Sequence, residues 1–267
     1  MAEVQTRCGR IWFTDQGSGL PVVLLHANLC DHRDFDPIVA ELARDYRVIA
    51  LDWPWHGESD SPPLEAGVGP LADALEDFTE ALDLPPAVFI GNSVGGFAAA
   101  RLAITHPGRV AGLVLVNAGF VPMNLMTRAF CRLMGRPAIA GLAMPGFTRL
   151  VMRARTANDR AVNRRVVARA RTPQGAATGA ALWRSFATEE YNLRPRAAQL
   201  RAPTLIVWGR KDVGVPLRIG RGTQAALPGS RLEVLDTGHM PFSSEPSAFL
   251  ALVRPFIESV AETTVTT

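Results

Sequence analysis

Short apolar runs recur along the chain and alternate with longer stretches of helical spacing. Residues 6–15 suit an opening strand. Residues 21–26 contain Val22-Val23-Leu24-Leu25, the uninterrupted kind of run expected of a strand buried on both faces. Helical spacing over residues 35–44 (Ile38, Val39, Leu42) precedes a β-branched run over 46–51. A turn-rich stretch, 53–69, leads to a second helix over 71–84 with Leu71, Leu75, Phe78 and Leu82 on one face, stopped by Pro85-Pro86. A short strand over 87–90, an alanine-rich helix over 97–105 and a strand over 110–116 follow. The pattern resumes late in the chain, with strands at 204–209 and 231–235 and helices at 217–227 and 246–262. Strands that alternate with helices predict an α/β fold around a largely parallel sheet.

Between these halves, over residues 120–196, the strand pattern is absent, and Pro, Gly, Met and Arg occur among helical fragments such as 161–171. The expected organisation is a core of residues 1–119 and 197–267 interrupted by a helical cap of residues 120–196. A chain of 267 residues is long enough to bury one large core. No apolar stretch approaches a membrane span. The N-terminus has no basic segment followed by an apolar run, which predicts a cytoplasmic protein. Cys8, Cys30 and Cys131 are widely spaced with no C-x-x-C pair, so they read as buried free thiols rather than a disulfide framework or zinc site. The net charge of +3 is small, and the basic residues are almost all arginine, with Lys211 the single lysine. Without interleaved aromatics or a recognition motif, this charge does not predict a nucleic-acid partner.

Chemistry concentrates in Gly91-Asn92-Ser93-Val94-Gly95, set between a predicted strand and a predicted helix. G-x-S-x-G in that context is a nucleophile elbow, whose sharp turn exposes the serine hydroxyl. The bland alternative is a glycine turn that caps a helix. A serine hydroxyl needs a base within hydrogen-bond reach, and the base needs a partner that sets its tautomer. Asp212 follows one late strand in Gly209-Arg210-Lys211-Asp212, and His239 follows the next in Thr237-Gly238-His239. Ser93 is thus the candidate nucleophile, His239 the base and Asp212 its orienting acid.

With these three motifs in order, the chain resembles an α/β-hydrolase over nearly its whole length. The resemblance implies a mostly parallel, doubly wound sheet of the eight-stranded type with an inserted cap. His26-Ala27-Asn28 stands where the family usually has His-Gly, and by the resemblance the Asn28 and Val94 backbone amides form the oxyanion hole. Ala27 replaces a glycine there and is strained if the backbone needs a positive φ. The loop Asp52-Trp53-Pro54-Trp55-His56-Gly57-Glu58-Ser59 carries Trp55 where the family has glycine, which either narrows the site entrance or is ordinary packing. Some relatives take their acid after the sixth strand, but Val114-Leu115-Val116-Asn117 offers no carboxylate.

His32, His56 and His106 read as structural or exposed, and His26 as an organiser of the oxyanion loop. Arg128, Arg132, Arg153, Arg164 and Arg169 either meet an anionic substrate or form a solvated face. Met123, Met126, Met134, Met144 and Met152 suggest an adaptable lining between cap and core, with plain packing as the alternative. The resemblance implies hydrolysis of an ester, thioester or lactone through an acyl-enzyme, with a small-molecule substrate and no metal or organic cofactor. Gly-Asn-Ser-x-Gly-Gly also occurs in relatives that hydrolyse a carbon–carbon bond in ring-fission products, although their glycine-rich oxyanion segment is missing here. A non-catalytic ligand-binding protein of the same fold is a further alternative. The sequence is compatible with a monomer or a homodimer.

Overall fold

The computed structural model of the chain describes residues 1–122 and 124–265. The strand expected over residues 6–15 is present as the second arm of a hairpin, and a further strand precedes it. β1 (Ala2–Thr6) turns at Arg7 and Cys8 into β2 (Gly9–Gln16), with Gly9 at φ 93°, a conformation glycine adopts without strain. β1 lies at the edge of the sheet, and its exposed Glu3 and Gln5 alternate with the partly buried Val4 and Thr6.

From there the expected alternation holds. β3 (Pro21–Leu25), α1 (Asp36–Leu42), β4 (Arg47–Leu51), α2 (Val68–Ala81), β5 (Ala87–Asn92), α3 (Val94–Thr105) and β6 (Val110–Val116) form the first part. After β6 come four helices, α4 (Leu125–Met134), α5 (Pro137–Met152), α6 (Ala157–Ala170) and α7 (Pro173–Ser185). The fold closes with β7 (Thr204–Gly209), α8 (Leu217–Ala226), β8 (Arg231–Leu235), a single turn α9 (Pro241–Ser244) and α10 (Pro246–Val265). The eight strands lie in the order β1-β2-β4-β3-β5-β6-β7-β8. Among the described residues only the β1–β2 and β2–β4 pairs are antiparallel.

The β3 run shows why the sheet has helices on both faces. Val22 and Leu24 point into a layer with Ile38 and Leu42 of α1 and with Phe249, Val253 and Ile257 of α10. Val23 and Leu25 point the other way, toward Leu71, Leu75 and Phe78 of α2 and Phe97 and Leu102 of α3. Side chains that alternate in direction force both faces to be covered. α3 lies so close to the sheet that a Cβ on Gly95 would sit 2.3 Å from the Leu25 carbonyl oxygen. Gly95→Ala is therefore expected to lower the unfolding free energy by about 3 kcal/mol, because rigid backbone must move. At Gly108 a Cβ meets nothing within 4 Å, so Gly108→Ala should leave the urea midpoint nearly unchanged. Equal midpoints for the two variants would contradict the close approach.

Three of the four helices after β6 start at a side-chain cap that apolar periodicity alone passes over. Asn124 caps α4, the Thr156–Asp159 capping box starts α6, and Thr172 followed by Pro173 starts α7. Among the described residues no helix is long and apolar enough to cross a membrane. Cys8, Cys30 and Cys131 are buried free thiols.

Candidate active site

Ser93 sits between the end of β5 and the start of α3 with φ 55° and ψ −118°. A non-glycine residue held there costs on the order of 1–3 kcal/mol, which the surroundings must offset. They do so through backbone. The Ser93 N–H donates to the Val116 carbonyl at 3.1 Å, and the Ser93 carbonyl accepts from Gly96 and Phe97. Gly91 and Gly96 are required by crowding rather than by φ. A Cβ on Gly91 would lie 2.5 Å from Gly95 backbone, and one on Gly96 2.3 Å from the Ala118 Cβ.

His239 follows β8 and is held by contacts that no local pattern announces. Its Nδ1 lies 2.5 Å from Asp212 Oδ2, and both side chains are nearly buried. Its backbone N–H donates to the Val151 carbonyl at the end of α5. Asn92 Nδ2 donates to the His239 carbonyl at 3.0 Å and to the Val116 carbonyl at 2.9 Å. Asp212 is saturated with donors: Oδ1 accepts from the Gly214 and Val215 amides, and Oδ2 from Asn117 Nδ2 at 2.7 Å. Asn117 Oδ1 in turn accepts from the Gly209 amide. Asn117 and Asn92 are positioning residues that sequence reasoning missed. Asn117 stands at φ 45°, a region asparagine tolerates better than most residues, and its place directly after β6 was the available signal. The residue directly after β6 thus meets Asp212 with an amide.

Ser93, His239, Ala27 and Asn28 line one cavity of about 490 Å³, with Phe130, Met144, Phe147, Met152, Trp183 and Met240 among its walls. The amides of Asn28 and Val94 have no hydrogen-bond acceptor among the described residues, and Val94 is the first residue of α3, where helix N–H groups lack internal partners. The condition for strain at Ala27 is not met, because the positive φ (63°) falls on Leu29 instead. Trp55, by contrast, does occupy the left-handed region, at φ 67°. Its ring is buried, with Nε1 donating to the Pro62 carbonyl, and it does not line the cavity. It packs rather than narrows the entrance.

His26 organises the loop beside the cavity. Its Nδ1–H donates to the Ala27 carbonyl at 2.7 Å and its Nε2 accepts from the Trp53 N–H at 3.1 Å. Burial pushes its pKa down to about 4, so the ring is neutral near pH 7. Burial, with His26 nearby, pushes His56 down to about 3. His32 bonds Asp52 at 3.0 Å, and His106 contacts Thr105 at the surface. Of the candidate lining methionines, Met126, Met144 and Met152 face the cavity, Met134 is buried elsewhere, and Met123 lies outside the described residues.

None of the five singled-out arginines lines the cavity. Arg128 pairs with Glu189, whereas Arg132, Arg153 and Arg164 are exposed. Arg169 instead clamps the loop after β3, donating to the Leu29 and Cys30 carbonyls and to Asp31. Beside it Arg165 reaches Asp34 at 2.8 Å and Asp31 at 3.5 Å. Burial and the neighbouring Asp31 push Asp34 up to about 6. Burial opposes ionisation at Asp31 too, but Arg33 and Arg165 outweigh it and hold that carboxyl below the usual range.

Native Asp34 keeps its proton up to about pH 6, while the unfolded chain loses it near pH 4. The native state therefore binds the extra proton in this window, and this residue's contribution to stability falls as pH rises from about 4 to 6, by roughly 3 kcal/mol in all. Asp34→Asn should flatten that slope in urea titrations run at several pH values. An identical slope in the variant would rule out the raised pKa.

Comparison with known proteins identifies the family. A family model described as alpha/beta hydrolase fold matches residues 21–246. An uncharacterised protein of Mycobacterium tuberculosis is 31% identical over 268 residues, which is 92% of this chain and 78% of the relative. The 2-hydroxy-6-oxononadienedioate/2-hydroxy-6-oxononatrienedioate hydrolase of Escherichia coli is 31% identical over 276 residues, 93% of this chain and 91% of that protein. Among solved structures, a thermophilic esterase from Thermogutta terrifontis superposes with a TM-score of 0.82 at 25% identity, covering 97% of this chain and 98% of that one. An N-acyl homoserine lactone degrading enzyme superposes with a TM-score of 0.81 at 24% identity over 96% of this chain and 100% of its own, a likeness of fold. With its eight-stranded, mostly parallel sheet and a family match across most of its length, this chain belongs to the α/β-hydrolase family.

Proposed function

We propose that the protein is a cytoplasmic serine hydrolase that cleaves a carboxylic ester, thioester or lactone through an acyl-enzyme. The observation that carries this reading is the meeting, in one largely apolar cavity, of a serine on a strained turn and a histidine bonded to a buried carboxylate. Ser93 Oγ attacks the carbonyl carbon as His239 Nε2 takes its proton, with Asp212 holding Nδ1–H and balancing the imidazolium. The Asn28 and Val94 amides receive the oxyanion, a stabilisation typically worth about 3 kcal/mol per donor. Collapse breaks the bond to the leaving group, which takes the proton from His239. Water, deprotonated by His239, then attacks the acyl-enzyme and releases the acid with Ser93 restored. No metal or organic cofactor is required. Residues 120–196 act as the cap over a core of 1–119 and 197–267, and supply Met126, Phe130, Phe147 and Trp183 to the acyl-binding wall.

The Escherichia coli relative favours a second reading, hydrolysis of a carbon–carbon bond. Its substrates are by name dicarboxylates. Among the described residues, Arg218 is, apart from His239, the one ionisable cation lining the cavity, and Arg165 and Arg169 are bonded to Asp31 and Asp34. That charge suits a substrate with little negative charge, which supports the ester, thioester or lactone reading.

A fluorophosphonate probe, followed by intact mass and peptide mapping, is expected to modify the protein stoichiometrically at Ser93. Short-chain p-nitrophenyl esters should be turned over while a coloured ring-fission dienoate keeps its absorbance. Faster loss of the dienoate than of the esters would move the assignment to carbon–carbon hydrolysis. No labelling of folded protein would move it to a non-catalytic ligand-binding role.

A further inference from the structure

The outward face of α4 is apolar, where a surface helix is ordinarily polar. Leu125 and Met126 are 80% and 82% exposed, and Phe130 and Leu133 are 44% and 47% exposed. At roughly 100° per residue these four share one arc of the helix, and the buried Cys131 and Met134 lie on the other side. On α5, which packs beside α4, Leu142 and Leu150 are also exposed. Such a concentration differs from the single exposed apolar residues scattered over most surfaces.

Charge completes the pattern. No Asp or Glu occurs between Asp83 and Asp159, so the charged side chains of α4 and α5 are all basic. Arg132, Arg136, Arg149 and Arg153 are exposed and take part in no ion pair among the described residues. Met126 and Phe130 are exposed and also line the cavity that holds Ser93 and His239, so the apolar face runs into the cavity mouth.

We infer that the α4–α5 face docks on an anionic phospholipid surface. The leucines, Met126 and Phe130 enter the boundary between headgroups and acyl chains, and the arginines meet lipid phosphates. Contact between two copies through this face is disfavoured, because a two-fold pairing sets arginines of each copy against those of the other. Docking brings the cavity mouth to the lipid, and it goes beyond the hydrolase reading because binding requires no turnover.

The test is co-sedimentation of the full chain with vesicles of mixed phosphatidylcholine and phosphatidylglycerol, and with vesicles of phosphatidylcholine alone. Wild type and Ser93→Ala should both bind the mixed vesicles, and bind the neutral ones far more weakly. Leu125→Asp with Leu133→Asp, and separately Arg132→Glu with Arg136→Glu, should each lower partitioning by about tenfold or more. None of these four residues lines the cavity, so hydrolysis of a short soluble ester should stay within about twofold of wild type, which also reports that the variants fold. Wild type that stays in the supernatant, or variants that bind as it does, would overturn the inference. So would a wild-type dimer in sedimentation equilibrium that the leucine variant converts to monomer, since the face is then an interface between copies.

Discussion

Ser93→Ala is expected to lower kcat on a chromogenic short-chain ester by about 10⁵-fold or more, the scale of loss when a serine nucleophile is removed from an intact triad. The substitution removes one oxygen and keeps a Cβ at the same unusual backbone angles, so the turn between β5 and α3 is preserved. Stability should therefore change by less than about 0.5 kcal/mol, and the urea midpoint separates loss of chemistry from loss of fold. Any residual rate above the uncatalysed reaction reports the amides and cavity that remain. Survival of more than about 1% of the activity would falsify Ser93 as nucleophile.

The second large effect belongs to Asp212→Asn, for which kcat should fall by about 10⁴-fold with little change in KM. Asp212 Oδ2 faces His239 Nδ1 on one side and Asn117 Nδ2 on the other, and Oδ1 faces two backbone N–H groups. Every neighbour donates, so an amide nitrogen in place of either oxygen meets another donor. Relief is available at His239, whose ring can shift its proton to Nε2, and then Nε2 no longer accepts the Ser93 proton. Asn117→Ala should cost much less, about tenfold in kcat, because Asp212 keeps its charge and its other donors while losing one hydrogen bond. Equal losses in the two variants would mean that the asparagine and the carboxylate act as one unit, rather than as a support and the group it supports.

These expectations rest on features that were visible to very different degrees in the amino-acid order. The buried runs Val22–Leu25 and Leu205–Trp208 revealed parallel strands because burial on both faces removes the polar alternation. The turn at Ser93 was legible because its glycine pattern is local, although only Gly91 is crowded by the turn itself and Gly95 is crowded by the distant Leu25 on β3. Asp212 and His239 were legible as loop residues after strands in the right order. β1 was missed because a weak alternation of polar and small residues carries little signal against the stronger run that follows it. Trp55 shows the limit of residue-type reasoning, since a bulky residue took the left-handed backbone and turned its ring into the core.

By itself the sequence determined the layered α/β architecture and the identity of the three candidate catalytic side chains, because periodicity and turn chemistry are read over a few neighbouring residues. Only the tertiary structure decided the strand order, the clamp of Arg169 on the loop after β3, the hold of Val151 and Asn92 on His239, and the hydrogen bond from Asn117 to Asp212, 95 residues away. Those contacts join segments far apart in the chain, and a hydrogen bond between distant backbone and amide groups leaves no periodic trace in either partner's local sequence.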